Sequence, residues 1–339
     1  MRPESAYITI DKNIEKIKDF INEVIIVPKH TLTKWATVTN QTPAAKIGYI
    51  GQHLVSLITG VQGTGTGARG NDLADGSEVK SCNKVDQADK CKNCESRVMR
   101  FESKCPHCGS TNIERKDDSK WLFSIHDENE LNTYKNLNRI VLLLMDYPNF
   151  KKNDFMDVRI TAFEIYPKEE RMSVFNELIS THYFKNYLPK KNAKKKTNPM
   201  NLHPWSFQFY KCNPVKIFEC TIKNIDTTPS VIIDNNVYVK PDMERNESLQ
   251  TIPMPSMLLR AAEWTELLKK SNYKKDIEPL IVKEYLEKEG IRGLSKTQFS
   301  KLSLNKKAEA LPFLNEELRN IISLRPVAPV RQKKNYKRI

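Results

Sequence analysis

Residues 70–83 read GNDLADGSEVKSCN, and this stretch decides the fold. It contains an Asp-Gly pair, which is a strong signal for a β-hairpin. A three-residue turn, Ala74-Asp75-Gly76, would put its glycine in the left-handed conformation and would place Asp72 opposite Glu78. Cross-strand neighbours of this kind have Cβ atoms about 5 Å apart. The two carboxylates would therefore lie close enough to share a metal ion.

The residues that follow the turn extend this candidate site. Lys80 lies two residues after Glu78 and so faces the same side of the strand. Mg²⁺ keeps several waters and needs only a few protein oxygens, which Asp72, Glu78 and the backbone carbonyl of Val79 would supply. Phosphodiester hydrolysis needs an activated water and a stabiliser for charge on the phosphate. The ammonium group of Lys80 would orient the water or stabilise that charge.

An acidic residue two positions before a lysine is a common pattern in so charged a chain. Residues 114–116 and 118–120 match it as well as 78–80 do. Three features favour 78–80: an acidic residue in the opposing strand, a turn signal between the two, and suitable elements on both sides. The alternative is an ordinary surface strand whose charges form salt bridges.

The flanking sequence predicts those elements. A helix begins after Thr42 and ends near Gly60, with apolar residues at helical spacing. Residues 121–126 are strand-like, 128–137 indicate a polar helix, and 139–146 (RIVLLLMD) form an apolar run typical of a buried central strand. With the cysteine-rich segment taken as an insertion, the predicted order is helix, three strands, helix, strand.

The remaining segments are predicted with less specific signals. An amphipathic helix runs from residue 11 and ends near Pro28. The glycine-rich stretch 60–70 is a loop that either approaches DNA or only connects. Further segments predict a strand at 158–166, a helix at 169–184, paired strands at 205–212 and 215–222, and helices at 256–270 and 276–289.

The last part of the chain could carry a helix-turn-helix, but a plain helical packing region fits equally well. Ser295 and Gln298 have the spacing of a capping box. We therefore predict a domain over residues 1–250 and a helical domain over 256–339 that is a candidate for DNA binding.

Four of the seven cysteines lie within eighteen residues of one another and indicate a structural zinc site: Cys91, Cys94, Cys105 and Cys108. Each Cys-x-x-Cys turn presents two thiolates, and two turns complete a closed tetrahedral site. His107 is not needed as a ligand, and Cys82 is expected to be a buried strand residue. Because this zinc knuckle (residues 84–118) leaves the strand of Glu78, we expect it to contact DNA near the cut through four cations: Arg97, Arg100, Lys104 and Arg115.

The charge balance favours a polyanionic partner. The chain has 55 Lys and Arg against 41 Asp and Glu, a net charge of +14, and each phosphate contact releases condensed counterions. The basic run at 189–199 is either a solvated loop or a phosphate contact. No apolar run approaches the ~20 residues of a membrane span, and the N-terminus lacks the apolar core of a signal peptide. A cytoplasmic protein of a prokaryote, without membrane contact, is expected.

The motifs Gly70-Asn71-Asp72 and Glu78-Val79-Lys80-Ser81 resemble the active-site hairpin of PD-(D/E)XK nucleases, most closely type II restriction endonucleases and the mismatch-repair nickase relatives. The resemblance implies an α/β fold with an αβββαβ core, a mixed sheet flanked by helices, over residues 42–146. It also implies that Asp72 and Glu78 bind the metal and that Lys80 is the catalytic lysine. Asn71 replaces the usual proline, which leaves a choice between Asp72 and Asp75. Hairpin geometry favours Asp72.

The resulting expectation is a Mg²⁺-dependent type II restriction endonuclease that cuts double-stranded DNA at a short specific sequence. A homodimer is expected if that sequence is palindromic. Two alternatives remain open: a repair or recombination endonuclease with the same core, and a non-catalytic zinc-ribbon DNA-binding protein.

Overall fold

The computed structural model describes residues 12–43, 45–65, 71–241, 249–281 and 293–326. The strands in these ranges are, in chain order, β1 (Glu78–Asn83), β2 (Asp89–Cys91), β3 (Arg97–Val98), β4 (Ile113–Glu114), β5 (Trp121–Phe123), β6 (Ile140–Asp146), β7 (Val158–Ile165), β8 (Met200–Leu202), β9 (Val215–Lys223), β10 (Ser230–Ile233), β11 (Met254–Pro255) and β12 (Phe313–Leu314).

The α-helices in the same ranges are α1 (Asn13–Phe20), α2 (Val27–Thr39), α3 (Ile47–Thr59), α4 (Glu128–Asn136), α5 (Ser173–His182), α6 (Leu188–Asn192), α7 (Phe207–Lys211), α8 (Ala261–Lys270), α9 (Lys296–Lys301), α10 (Leu304–Ala310) and α11 (Glu316–Ile321). None of the described helices is long and apolar enough to cross a membrane.

A five-stranded mixed sheet forms the centre of the fold, in the order β1-β6-β7-β9-β10. The edge strand β1 is parallel to β6, and α4 lies between them in the chain, while the other neighbours are antiparallel. Every residue of β6 is buried, as expected for an apolar run without alternation. The mixed α/β class is therefore confirmed, and so are the strands predicted at 139–146, 158–166 and 215–222.

Helix α3 packs closely against β1 because it carries a glycine at the point of contact. A Cβ atom on Gly51 would lie 1.9 Å from the Oγ and 2.9 Å from the Cβ of Ser81. Only a residue without a side chain allows this approach. The predicted helix is present and ends as predicted at Gly60, which has a left-handed φ of 67°. Its predicted start after Thr42 is wrong, because the helix begins at Ile47, with Lys46 at the N-cap position.

The predicted run of three sheet strands before α4 is wrong for the described residues. Asp72 lies in a loop, where the adjacent Leu73 forms an isolated bridge to Gly63. The strand at 121–126 is β5, which pairs with β8 in a separate two-stranded sheet. The central sheet instead takes β7 and β9 from later in the chain, because long-range strand pairing is not visible in local sequence patterns.

Two local predictions are also wrong. The helix predicted to end near Pro28 continues to Thr39, because a π-helical turn over Ile21–Ile26 joins α1 to α2. Pro28 lies just after this π-helical turn, so the helix passes the proline through a local change of hydrogen-bond pattern and does not end before it. The strand predicted at 205–212 is helix α7, which Ser206 caps by accepting a hydrogen bond from the amide of Phe209.

The C-terminal helices pack on the same hydrophobic core as the sheet. The buried Lys211 donates hydrogen bonds to the carbonyls of Arg319 and Ile322 at the end of α11, at 2.9 and 2.6 Å. The capping box at Ser295 is present. The glycine-rich residues 66–70, the predicted helix beyond residue 281 and the chain after residue 326 lie outside the described ranges, so the two-domain division and the helix-turn-helix remain predictions.

Candidate active site

Asp72 lies beside the first residues of β1 and is held by two hydrogen bonds. Its Oδ2 accepts from the amide of Val79 at 2.7 Å, and its Oδ1 accepts from Nε2 of Gln52 on α3 at 2.6 Å. The carboxylate therefore reaches the strand that carries Glu78 and Lys80. These three predicted residues do come together.

The turn before β1 differs in detail from the predicted hairpin. The amide of Gly76 donates to the carbonyl of Leu73 at 3.0 Å, and Gly76 has the expected left-handed φ, 82°. The amide of Leu73 donates to Ser77 as expected. However, Asp72 does not pair with Glu78 across a ladder, since Glu78 pairs with Ile140 of β6. The carboxylate of Asp72 reaches the site from a loop instead.

Asp75 is directed away from this site. Its Oδ1 accepts from the amide of Ser77 at 3.0 Å, and its Oδ2 accepts from Arg139 at 2.5 Å. The buried Arg139 also binds Ser77 Oγ and Glu164 Oε1, each at 2.9 Å. Asp75 thus fastens the turn to the start of β6.

The ammonium of Lys80 lies between a carboxylate and an aromatic ring. Its Nζ donates to Glu78 Oε1 at 2.5 Å and lies 5.7 Å from the ring centroid of Tyr134 on α4. Burial by itself lowers the pKa of Lys80, but the Tyr134 hydroxyl and Glu78 outweigh it, so the pKa lies above its ordinary value. Lys80 is therefore a cation at neutral pH.

The pKa of Asp72 is shifted mainly by burial, in the direction that disfavours its charge. Partial burial raises the pKa of this carboxyl, and the nearby Glu78 raises it further, against the effect of the Val79 amide and Lys80. A cation placed beside Asp72 would oppose both of these effects and favour the charged carboxylate. Metal binding by Asp72 and Glu78 remains a prediction at this point.

The backbone N–H and C=O of Val79 point towards the open edge of the sheet. In a parallel pair, alternate residues direct both backbone groups to the neighbouring strand. The Glu78 amide donates to the carbonyl of Arg139, which precedes β6. Val79 therefore presents its N–H and C=O on the other side, where Asp72 already accepts the N–H. Its carbonyl is directed to the side expected of a third metal ligand.

Sequence analysis missed three residues that shape this site: Gln52, Tyr134 and Arg139. Gln52 and Tyr134 lie on helices, and the spacing of apolar residues in a single sequence predicts a helix but not which of its polar residues face a site. Arg139 stands at the edge of the apolar run of β6, and only its partners identify it as part of the turn.

The four cysteines of the knuckle converge as predicted. Their sulfur atoms all lie within 4.8 Å of one another, with Cys94–Cys105 at 3.5 Å and Cys91–Cys108 at 3.6 Å. Zinc–sulfur bonds of ~2.3 Å in a tetrahedron require sulfur atoms about 3.8 Å apart. The cluster can therefore hold a metal ion, and its all-thiolate donor set fits zinc.

The two cysteine turns have the same backbone form. The amides of Glu95 and Gly109 donate to the carbonyls of Cys91 and Cys105, at 3.0 and 2.9 Å. Both donors have left-handed φ values, 64° and 70°. This repeat explains why a glycine stands at 109 and shows that two equivalent knuckles face each other.

Two of the four cations expected to contact phosphate are not free to do so. Arg100 is only 4% exposed, and its guanidinium lies 5.1 Å from the rings of Phe150 and Phe155. Arg100 and Arg115 both form ion pairs with the fully buried Asp89, at 3.1 and 2.7 Å. The prediction is wrong for this pair, because the two arginines hold the knuckle to the sheet domain.

The knuckle also leaves β1 at the end away from the candidate site. Glu78 begins the strand, and Asn83 ends it, which is about 17 Å for six residues. Arg97 donates to Asn40 Oδ1 at the end of α2. The knuckle therefore docks beside the end of β1 and not beside Glu78, and its contact with DNA remains a prediction.

The sequence model of the MamI restriction endonuclease family matches residues 34–257. Type II restriction enzyme MamI from Microbacterium ammoniaphilum is 24% identical over 266 residues, which cover 77% of this chain and 75% of that protein. No solved structure matches the chain significantly. The matched range contains both the candidate site around Glu78 and the cysteine cluster.

Proposed function

Since the chain belongs to the MamI restriction endonuclease family, we propose that it is a type II restriction endonuclease that hydrolyses phosphodiester bonds of double-stranded DNA at a specific short sequence with Mg²⁺. The observation that carries the proposal is the convergence of Asp72, Glu78 and Lys80 at the start of β1. The parallel β1–α4–β6 unit around them supports a PD-(D/E)XK core. Family membership favours this function over a repair nuclease or a non-catalytic zinc ribbon.

The carboxylates of Asp72 and Glu78, with the carbonyl of Val79, would hold the metal ion. Bound there, Mg²⁺ supplies an activated water and neutralises charge on the phosphate. Asp72, rather than Asp75, is assigned this role because Asp75 is engaged with Arg139 and Ser77. Gln52 positions Asp72 by its hydrogen bond to Oδ1.

Lys80 is the proposed catalytic lysine. Its raised pKa keeps the ammonium charged at neutral pH, so it can donate a hydrogen bond to the phosphate or to the attacking water. Tyr134 positions this ammonium from α4. When Glu78 binds a cation, Lys80 retains Tyr134 as its partner.

Exposed lysines lie near this end of the sheet and suit a DNA backbone. Lys191 donates to the carbonyl of His126 at 2.9 Å. His126 follows β5, whose Phe123 packs on Tyr134 at 5.7 Å between ring centroids. The neighbouring residues 194–196 are exposed lysines. We assign the basic run to phosphate contact on this basis.

The decisive test is incubation of the protein with plasmid DNA and Mg²⁺, beside Lys80→Ala. Discrete fragments are expected from the wild type and none from Lys80→Ala. A control, Lys269→Ala, removes an exposed lysine of α8 and is expected to cut normally. Intact DNA with the wild type, under conditions in which the protein binds DNA, would refute the proposal.

The cysteine cluster is proposed to hold structural zinc. One zinc per chain is expected by elemental mass spectrometry, and Cys105→Ser should lose it together with thermal stability, because metal binding contributes folding free energy. His107→Ala should retain it, since four thiolates close the site. Full zinc occupancy in Cys105→Ser would contradict this assignment. The homodimer remains a prediction for a palindromic site.

A further inference from the structure

A cleft with a volume of about 740 Å³ opens at the end of β6, away from the candidate active site. One wall is the loop from β6 to β7, and the other is the segment that leads into α7. The residues that matter below are Lys84, Asp146, Phe150, Lys151, Lys152 and Trp205. The volume lies within the range of protein ligand sites, ~300–1,000 Å³.

The carboxylates in this cleft are neutralised by the protein itself. Asp146 accepts two hydrogen bonds from Arg159, at 2.9 and 2.8 Å, and a third from Nε1 of Trp205 at 2.8 Å. Lys84 forms an ion pair with Asp117 at 2.7 Å. The cleft therefore does not present an unpaired acid to a ligand.

Two lysines lie at the rim of the cleft. Lys151 and Lys152 are both exposed, and neither forms an ion pair with a carboxylate in the described part of the chain. The pKa of His203 is lowered by burial and then by Lys120 and Lys84, which indicates a positive local field. The cleft is thus suited to an anion.

The aromatic wall is fixed in place. Trp205 has a φ of 58°, a left-handed conformation that bulky residues rarely adopt. Its indole is held by Asp146 and by edge contacts with Phe163 and Phe209, at 5.4 and 5.9 Å between ring centroids. Arg159 lies 4.9 Å from the ring, and Trp205 remains partly exposed at the cleft. Strained backbone of this kind clusters at functional sites.

The cleft and Lys80 lie on the same face of the sheet. Lys80 and Lys84 are four residues apart on or just beyond β1, so they face the same side about 13 Å apart. The major groove of B-DNA is ~12 Å wide. A duplex whose scissile phosphate lies at Lys80 would therefore bring a phosphate across the groove to the cleft.

We propose that this cleft is a nucleotide subsite of the DNA-binding surface, in which Lys151 and Lys152 hold a phosphate of the bound strand and Trp205 stacks on the adjoining base. A base can reach the ring only if it is turned out of the duplex, and aromatic stacking then offsets part of the cost of unstacking. That the ligand is DNA rests on the proposed function. The assignment of the cleft does not depend on which residues are catalytic.

The phosphate contact is tested with Lys151→Ala/Lys152→Ala in a Lys80→Ala background, which binds without cutting. The DNA is a duplex carrying a cleavage site mapped with the wild type. Loss of this phosphate contact should reduce the slope of log K against log salt by about 0.9 and weaken binding roughly eightfold at about 0.1 M salt. The control, Lys274→Ala/Lys275→Ala, removes another adjacent exposed pair. Unchanged binding, or an equal loss in the control, would overturn the proposal.

The stacking contact is tested by tryptophan fluorescence. Duplexes with 2-aminopurine at successive positions are added to the protein, and one of them should quench the tryptophan fluorescence of the wild type. Trp205→Phe should lose that quenching, although its melting temperature should lie within a few degrees of that of the wild type. Quenching that persists in Trp205→Phe would overturn the stacking. A free mononucleotide that quenches as strongly as DNA would overturn the assignment to the bound strand. If the wild type cuts no DNA, the proposed function fails, whereas a mixed-sequence duplex still tests the cleft.

Discussion

Substitution of Asp72 by asparagine should abolish cleavage, whereas the same substitution of Asp75 should leave it. This contrast tests the assignment of the metal ligands. Asp72 faces Glu78 and Lys80, whereas Asp75 binds Arg139 and the amide of Ser77. Both changes keep the size of the side chain. Asp72→Asn removes a charge at the proposed metal site, and Asp75→Asn removes a charge from a structural ion pair.

The magnitudes follow from the contacts. Without the charge of Asp72, the metal loses one of two carboxylates, and a loss of about 4 kcal/mol in transition-state stabilisation would slow cleavage roughly 10³-fold. Stability should change little, because the pKa of Asp72 is already raised by burial. Asp75 is 37% exposed, so its ion pair with Arg139 contributes no more than about 1 kcal/mol. Cleavage by Asp75→Asn should stay within a few-fold of the wild type, because Arg139 still binds Glu164 and Ser77.

The assay is the rate of plasmid linearisation at saturating Mg²⁺, paired with the melting temperature of each variant. Asp72→Asn should melt near the wild type and fail to cut. Asp75→Asn should melt slightly lower and cut. A folded Asp75→Asn as inactive as Asp72→Asn would refute the assignment, and so would an active Asp72→Asn.

Three further outcomes are expected. Gly51→Ala should cost roughly 1–3 kcal/mol of stability, because its Cβ would meet the serine of β1; Gly48→Ala on the same helix meets nothing within 4 Å and should be neutral or stabilising by urea unfolding. Asp89→Asn should cost about 3–5 kcal/mol, because two arginines lose their buried partner, whereas the exposed Asp118→Asn should not; equal melting temperatures would count against the ion triad. The raised pKa of Asp72 makes protons compete with the metal, so the rise in melting temperature produced by Mg²⁺ should shrink as the pH is lowered. A pH-independent rise would contradict a metal ligand at this carboxylate.

The parts of the fold that could be predicted are those with a strong local signal. The apolar run of β6 is buried along its whole length, and the helix predicted after Thr42 ends at Gly60. The spacing of Cys91, Cys94, Cys105 and Cys108 predicts their convergence, because two short turns can present four sulfurs in only a few ways. In each case the information lies within a few residues.

The parts that could not be predicted depend on distant partners. β5 has the composition of a sheet strand, yet it pairs with β8, and no local pattern distinguishes the two outcomes. α7 was predicted as a strand because its aromatic residues suit strands, but the Ser206 cap and burial in the core make it a helix. The sequence predicts that Arg100 contacts phosphate as one of the cations of the knuckle, whereas Asp89 and three aromatic rings bury it.

The position of the knuckle limits how zinc can affect the proposed reaction. It docks where β1 ends, while Asp72, Glu78 and Lys80 lie where β1 begins, so it lies outside the proposed catalytic site. Its buried Arg100 instead packs under Phe150, one residue before the lysines at the rim of the cleft. We therefore expect a metal ion in the cluster to influence the proposed DNA contact indirectly, because the cluster adjoins the Asp89 ion triad, and this triad fixes Arg100 beneath the segment of Lys151 and Lys152.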